Sequence, residues 1–175
     1  LVLSTLHTNT AAGAITRLED MGIERYLITS SVNGVLAQRL LRTLCNHCKS
    51  PVELSDTAIA QYGLKRFLPA GERKVYEPVG CDHCIGSGYA GRTAIHELFY
   101  LDEGIRRTIQ SGADASELHA AARRQGMITL YEDGLRKVVA GQSSLEEVLR
   151  VTQDQSDEDD QAPLDAATVT RLQPA

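Results

Sequence analysis

The chain has 175 residues, 42% hydrophobic and 23% charged, with a net charge of −5, a make-up ordinary for a globular protein with one core and an appendage. No run of 18 apolar residues is present, which excludes a membrane-spanning helix, and the opening LVLSTLHTNT has no basic leader region and no initiator Met. Six acids (Asp154, Asp157, Glu158, Asp159, Asp160, Asp165) and one base, Arg171, fall in residues 152–175, which leaves 17 acids and 17 bases in the body and no broad electrostatic footprint for nucleic acid.

Residues 1–5, LVLST, form a short apolar run ending in polar residues, the pattern of a buried parallel strand. A chain that opens inside such a strand is expected to be a fragment of a longer protein. In the loop that follows, Asn9 or Thr10 can cap a helix beginning near Ala11. Ala11, Ala14, Ile15 and Leu18 share one stripe of that helix, and Gly22 stands where a C-terminal cap belongs. Strand, loop and amphipathic helix together make a piece of an α/β layer.

A second helix is expected from Tyr26 to about Asn33, ended by Gly34. VLAQRLLRTLC then alternates as a strand, with Val35, Ala37, Arg39 and Leu41 on one face, and delivers the chain to Cys45. Residues 49–80 hold Pro51, Pro69, Gly71 and Pro78 and are expected to be irregular, with at most one short helix around 57–62. RTAIHELFYL reads as a returning strand, followed by helices at 102–111, 115–125, 128–140 and 144–151. Arg123, Arg124, Arg136 and Lys137 stand toward helix ends, where cations suit the dipole. The polar, acidic tail from 152 to 175 is expected to be disordered.

Four cysteines stand in two CxxC pairs, Cys45 with Cys48 and Cys81 with Cys84, 32 residues apart. Each CxxC turn presents two thiolates to one ion, so two turns close a tetrahedral zinc cage, consistent with a reducing cytoplasm. Such a cage is structural, since four thiolates leave no open position for catalysis. His47 and His83, inside the pairs, are expected to be exposed bystanders, and Arg42, Lys49, Arg92 or backbone amides to moderate the charge of the site. CDHCIGSG also spells one unit of a chaperone-type zinc repeat, but the first pair lacks the matching glycines. GSGYAGRT at 86–93 is one substitution from a phosphate loop. A phosphate loop needs a buried strand before it and a helix after it, whereas this segment follows a cysteine pair and precedes a strand-like run.

STLHTNTAAGAITRLEDMGI, GVLAQRLLRTLC, GYAGRTAIHEL and EDGLRKVVAGQSSLEEVLRVT, in that order and spacing, resemble the C-terminal part of a type II secretion ATPase, a family whose relatives drive type IV pilus assembly. The resemblance covers about residues 1–152. It implies an α/β chain: the C-terminal part of a RecA-like P-loop NTPase core at 1–44, a four-cysteine zinc-binding insertion at 45–90, and a returning strand with a helical region at 91–151, with the acidic tail beyond. LHTNTA matches the family's histidine box, which implies that His7 lies near the nucleotide's terminal phosphates, and Gln38 and Arg39 fall in the family-like AQRL. The resemblance further implies zinc at Cys45, Cys48, Cys81 and Cys84, and ATP with Mg2+ in the full-length protein. It also implies a homo-hexamer in the cytoplasm, acting peripherally on inner-membrane platform proteins. No GxxxxGK[ST] loop and no acidic Walker B strand occurs in the 175 residues, so the chain alone is expected to be inactive. A pilus-assembly ATPase and a non-enzymatic zinc-dependent interaction module are the competing readings.

Overall fold

In a computed structural model, the described residues are 1–152 together with the backbone of 169–171. The elements in chain order are helices α1 (Gly13–Asp20) and α2 (Arg25–Ser31), strands β1 (Gly34–Leu44) and β2 (Ser50–Leu54), helix α3 (Asp56–Gln61), and strands β3 (Lys74–Glu77) and β4 (Tyr89–Tyr100). Helices α4 (Glu103–Gln110), α5 (Ala115–Arg124), α6 (Leu130–Val139) and α7 (Leu145–Thr152) and strand β5 (Val169–Arg171) follow. This is a mixed α/β chain. It divides into two compact units, Leu1–Gln38 with His96–Leu130 and Arg39–Ile95 with Tyr131–Ala175. Strands β1 and β4 pair with each other. The bonds from the Leu101 amide to the Asn33 carbonyl and from the Cys45 amide to the Gly88 carbonyl mark opposite ends of that ladder, so the strands run antiparallel.

In the first unit, Ala11, Ala12, Ile15, Ile28, Phe99, Leu101, Ile105, Ile109 and Leu118 form one buried cluster, with Leu18, Val35 and Ala37 packed at its margin. The stripe expected on the first helix is therefore the core face. Helix α1 starts two residues later than expected, with Ala12 at the N-cap position, and the Thr10 hydroxyl accepts the Gly13 amide at 3.0 Å from two residues further back. Asp102 and Asp114 are the N-caps of α4 and α5, accepting from Ile105 at 2.8 Å and Glu117 at 2.8 Å.

Residues 1–5 are not the buried strand the sequence suggests. They lie exposed and outside any strand. A strand is held by ladder bonds to neighbours, and among the described residues nothing pairs with this segment.

In the second unit, the segment expected to be irregular is more ordered than its prolines suggest. β2 pairs antiparallel with β3, Ser50 opposite Glu77 and Val52 opposite Val75, and Val52, Leu54, Val75 and Leu64 are buried. The Leu54 amide bonds the Arg73 carbonyl at 3.0 Å, so residues 52 and 54 turn their backbone groups toward β3 and Pro51 turns its missing N–H to the other side. β5 pairs along that side, Glu53 opposite Thr170. Pro51 stands near the start of β2, and the described pairing with β5 covers Val52 to Leu54 only, so no ladder bond is asked of the proline. The short helix appears as α3, capped by Ser55 accepting the Ala58 amide at 3.1 Å. The four expected later helices are α4 to α7. The disorder expected of residues 152–175 does not hold for Thr152, which ends α7, or for the backbone of β5, and the rest of that tail lies outside the described residues.

Candidate metal centre

The two CxxC pairs stand at the end of β1 and just before β4, and each folds into a tight turn. Cys48 and Lys49 donate their amides to the Cys45 carbonyl, at 3.3 and 2.9 Å, while Cys84 and Gly86 donate to the Cys81 carbonyl, at 3.2 and 3.0 Å. The turns bring all four sulfurs within 4.8 Å of one another. Neighbouring Sγ atoms lie 3.9 Å apart for Cys45 and Cys81, 3.7 Å for Cys48 and Cys84, and 3.8 Å for Cys81 and Cys84. All four thiols are free. A disulfide would hold two sulfurs at about 2 Å, whereas the edge of a tetrahedron with zinc–sulfur bonds of about 2.3 Å is about 3.8 Å. The donor set and its spacing therefore fit one tetrahedral metal ion.

Glycines shape the site because main chain must approach sulfur. The amides of Gly80, Cys81 and Gly88 donate to Cys48 at 3.3 Å, Cys84 at 3.2 Å and Cys84 at 3.1 Å. Gly80 has φ +108° and Gly88 φ +75°, and a Cβ would fall 2.6 Å from the Gly86 carbonyl oxygen and 2.4 Å from Pro78 Cβ respectively. Burial pushes the Cys84 thiol up, but the amides of Cys81 and Gly88 and the neighbouring sulfurs outweigh it and bring it down to about 6. Burial, reinforced by neighbouring thiols against the Gly80 amide, pushes Cys48 up to about 11.

His47 and His83 are exposed and stack on each other, ring centroids 3.8 Å apart at 14°. They are not among the clustered donors, as the sequence suggests. The expected cations divide differently. Arg42 bonds Glu147 through Nε and NH2, at 2.9 and 2.6 Å, and lies over the Tyr89 ring, while Lys49 Nζ donates to the Gly141 carbonyl at 2.9 Å. The hydrogen bonds to sulfur come from amides.

The other candidate, His7, lies exposed in the first unit. Its loop is fixed at the far end: Thr8 Oγ1 donates to the Thr10 carbonyl at 3.0 Å, and the Ala11 amide donates to Glu97 Oε1 at 2.9 Å. Glu97 is buried, and its other oxygen lies 3.9 Å from His119 Nε2. Sequence reasoning missed Glu97, Glu147 and Tyr89, whose partners lie 86, 105 and 55 positions away; no local pattern signals such pairs.

A family profile described as "Type II/IV secretion system protein" matches residues 1–150. The chain belongs to that family. It is 49% identical over 152 residues to the type IV pilus assembly ATPase PilB of Thermus thermophilus, covering 87% of this chain and 17% of that protein. Type II secretion system protein E of Dickeya dadantii is 50% identical over 157 residues, covering 89% and 30%. The protein of the same name from Aeromonas hydrophila is 47% identical over 154 residues, covering 88% and 30%. The chain thus spans less than a third of these relatives' length. GSGYAGRT lacks the loop-to-helix context of a phosphate site, since Tyr89 to Thr93 are the first residues of β4 and a strand directly follows the glycines of 86–88.

Proposed function

We propose that this chain is the C-terminal part of a secretion ATPase, in which residues 1–44 belong to a RecA-like nucleotide-binding core and Cys45, Cys48, Cys81 and Cys84 hold a structural zinc ion. One observation carries the reading: nearly 50% identity along some 150 residues, with the histidine box and both cysteine pairs inside the matched span, to proteins named as type II secretion and type IV pilus ATPases. Zinc supplies a closed, four-thiolate cross-link and no reactive position. The cysteines bind it, and the amides of Gly80, Cys81 and Gly88 spread the thiolate charge.

His7 contributes to nucleotide sensing or hydrolysis from the loop between the apolar run and α1. Glu97 and Thr10 hold the base of that loop, which limits how far the histidine can swing. The charge needed to hold ATP phosphates and Mg2+ is supplied by a P-loop lysine and an acidic Walker B residue, neither of which occurs in these 175 residues. These residues alone therefore do not turn over ATP. In the hexameric motor, at the cytoplasmic face of the inner membrane, rigid-body movements between subunits pass the work of hydrolysis to the secretion platform.

A replacement experiment tests this. Residues 1–152 are exchanged for the matching segment of the Dickeya dadantii type II protein, and, separately, of the Thermus thermophilus pilus ATPase. Restored ATP hydrolysis and protein secretion in the first chimera are expected, with His7→Ala abolishing hydrolysis. Restored piliation in the second without secretion in the first moves the assignment to pilus assembly. Two folded, metal-loaded chimeras without ATPase activity would refute the motor reading.

A further inference from the structure

The turn between α6 and α7, residues 141–144, is gripped by the main-chain segments that carry the cysteines. The Leu44 amide, next to Cys45, donates to the Gln142 carbonyl at 2.9 Å, and Ser143 Oγ donates to the Arg42 carbonyl at 2.8 Å. Lys49, next to Cys48, donates to the Gly141 carbonyl at 2.9 Å and lies over the Tyr76 ring. Tyr89, next to the glycine whose amide reaches Cys84, shares a 2.7 Å hydrogen bond with Ser144. Gly141 has φ +65°, and a Cβ there would meet the Tyr76 ring at 2.9 Å. Ser143, Ser144 and Glu147 are all buried. Polar side chains are stable inside a protein only when bonded; the Arg42 carbonyl and Tyr89 supply those bonds to Ser143 and Ser144, and the Arg42 amide and guanidinium supply them to Glu147.

Three grips come from either side of the first cysteine pair and one from beside the second. Main chain joins the pairs directly through the Cys45 amide on the Gly88 carbonyl and the Gly80 amide on the Cys48 sulfur. A metal bound by all four thiols would add four bonds across the same gap. Resting on the metal-site reading above, we propose that the four-cysteine centre is the fastening of the α6–α7 turn. Bound metal keeps the gripping segments in register, so α7 stays docked, and metal loss frees the turn and α7 together. The site thereby couples the thiol and metal state of the protein to the position of its last described helix, a control that needs no ligand other than the ion.

Hydrogen exchange on the full 175-residue chain tests the coupling, before and after chelation, with metal content measured on the same samples. Exchange across residues 141–152 is expected to rise at least tenfold on chelation, while α1, residues 13–20, changes less than twofold. The double variant Lys49→Met, Tyr89→Phe leaves the cysteines intact; it is expected to keep one equivalent of metal yet exchange faster at 141–152. Metal that binds and is removed with no change at 141–152 would overturn the proposal and leave the metal site standing. A purified chain that takes up no zinc would overturn both. Faster exchange everywhere on chelation, α1 included, would also overturn it, because the metal would then be a global staple.

Discussion

Glu147 is the residue on which the second unit's polar interior turns. Its carboxylate is fully buried and accepts from the Arg42 amide at 3.0 Å and from the guanidiniums of Arg42 and Arg150. Burial pushes its carboxyl up, but the Arg150 and Arg42 hydrogen bonds outweigh it and bring it down from 4.5 to about 2. An unfolded chain, with the ordinary value, binds the proton first, so the contribution to stability is complete above about pH 4.5 and fades as pH falls toward 2. Glu147→Ala is expected to destabilise the chain by about 2–4 kcal/mol, less than for a wholly buried pair because both arginines are about half exposed. Glu147→Gln should flatten the acid limb of stability against pH, and denaturant titrations from pH 2 to 7 read both effects. Gly88→Ala and Gly86→Ala make a matched pair, with φ +75° and +74°, but only the first places a Cβ against Pro78. The Gly86 change is expected to cost about 1 kcal/mol of backbone strain. The Gly88 change should cost more and weaken metal uptake, measured by competition with a chromophoric chelator.

Helices and the two long strands were legible element by element, because their signals are local. Period-3.6 stripes and alternation in β1 need only neighbouring residues. Two elements went the other way for opposite reasons. Residues 1–5 carry a strand's composition, but composition does not supply a pairing partner. β2 and β3 carry too few residues, and Pro51 masks the first of them, yet Val52 and Val75 bury each other across the ladder. The cysteine site was readable because its spacing is chemical, whereas Glu97 was not, since its partner Ala11 lies 86 residues away. Glu97→Ala orphans that amide and is expected to destabilise the first unit by about 1–3 kcal/mol. Phe99→Ala, at the centre of the same core, should cost about 3–5 kcal/mol. Exchange of α1 amides distinguishes the two: Glu97→Ala should loosen the first turn of α1 selectively, and Phe99→Ala the whole unit.

At the scale of the whole molecule, one unit bears His7 and the other the thiols, within a family whose relatives named above are about three to five times as long. Thiolates must shed protons to bind metal, so apparent zinc affinity is expected to weaken from pH 8 to pH 6, as Cys48, pushed up to about 11, holds its proton. Competition titrations at several pH values check that slope. The chain belongs to a secretion-system family, and the proposed four-thiolate zinc centre is the claim most directly open to measurement. X-ray absorption at the zinc edge on the purified chain gives the ligand set and bond length at once. Four sulfur scatterers at about 2.3 Å, with one zinc per chain, are the result expected if the thiols, spaced 3.7–3.9 Å apart, hold the ion as proposed. A shell containing imidazole nitrogen from His47 or His83, or fewer than four sulfurs, would contradict it.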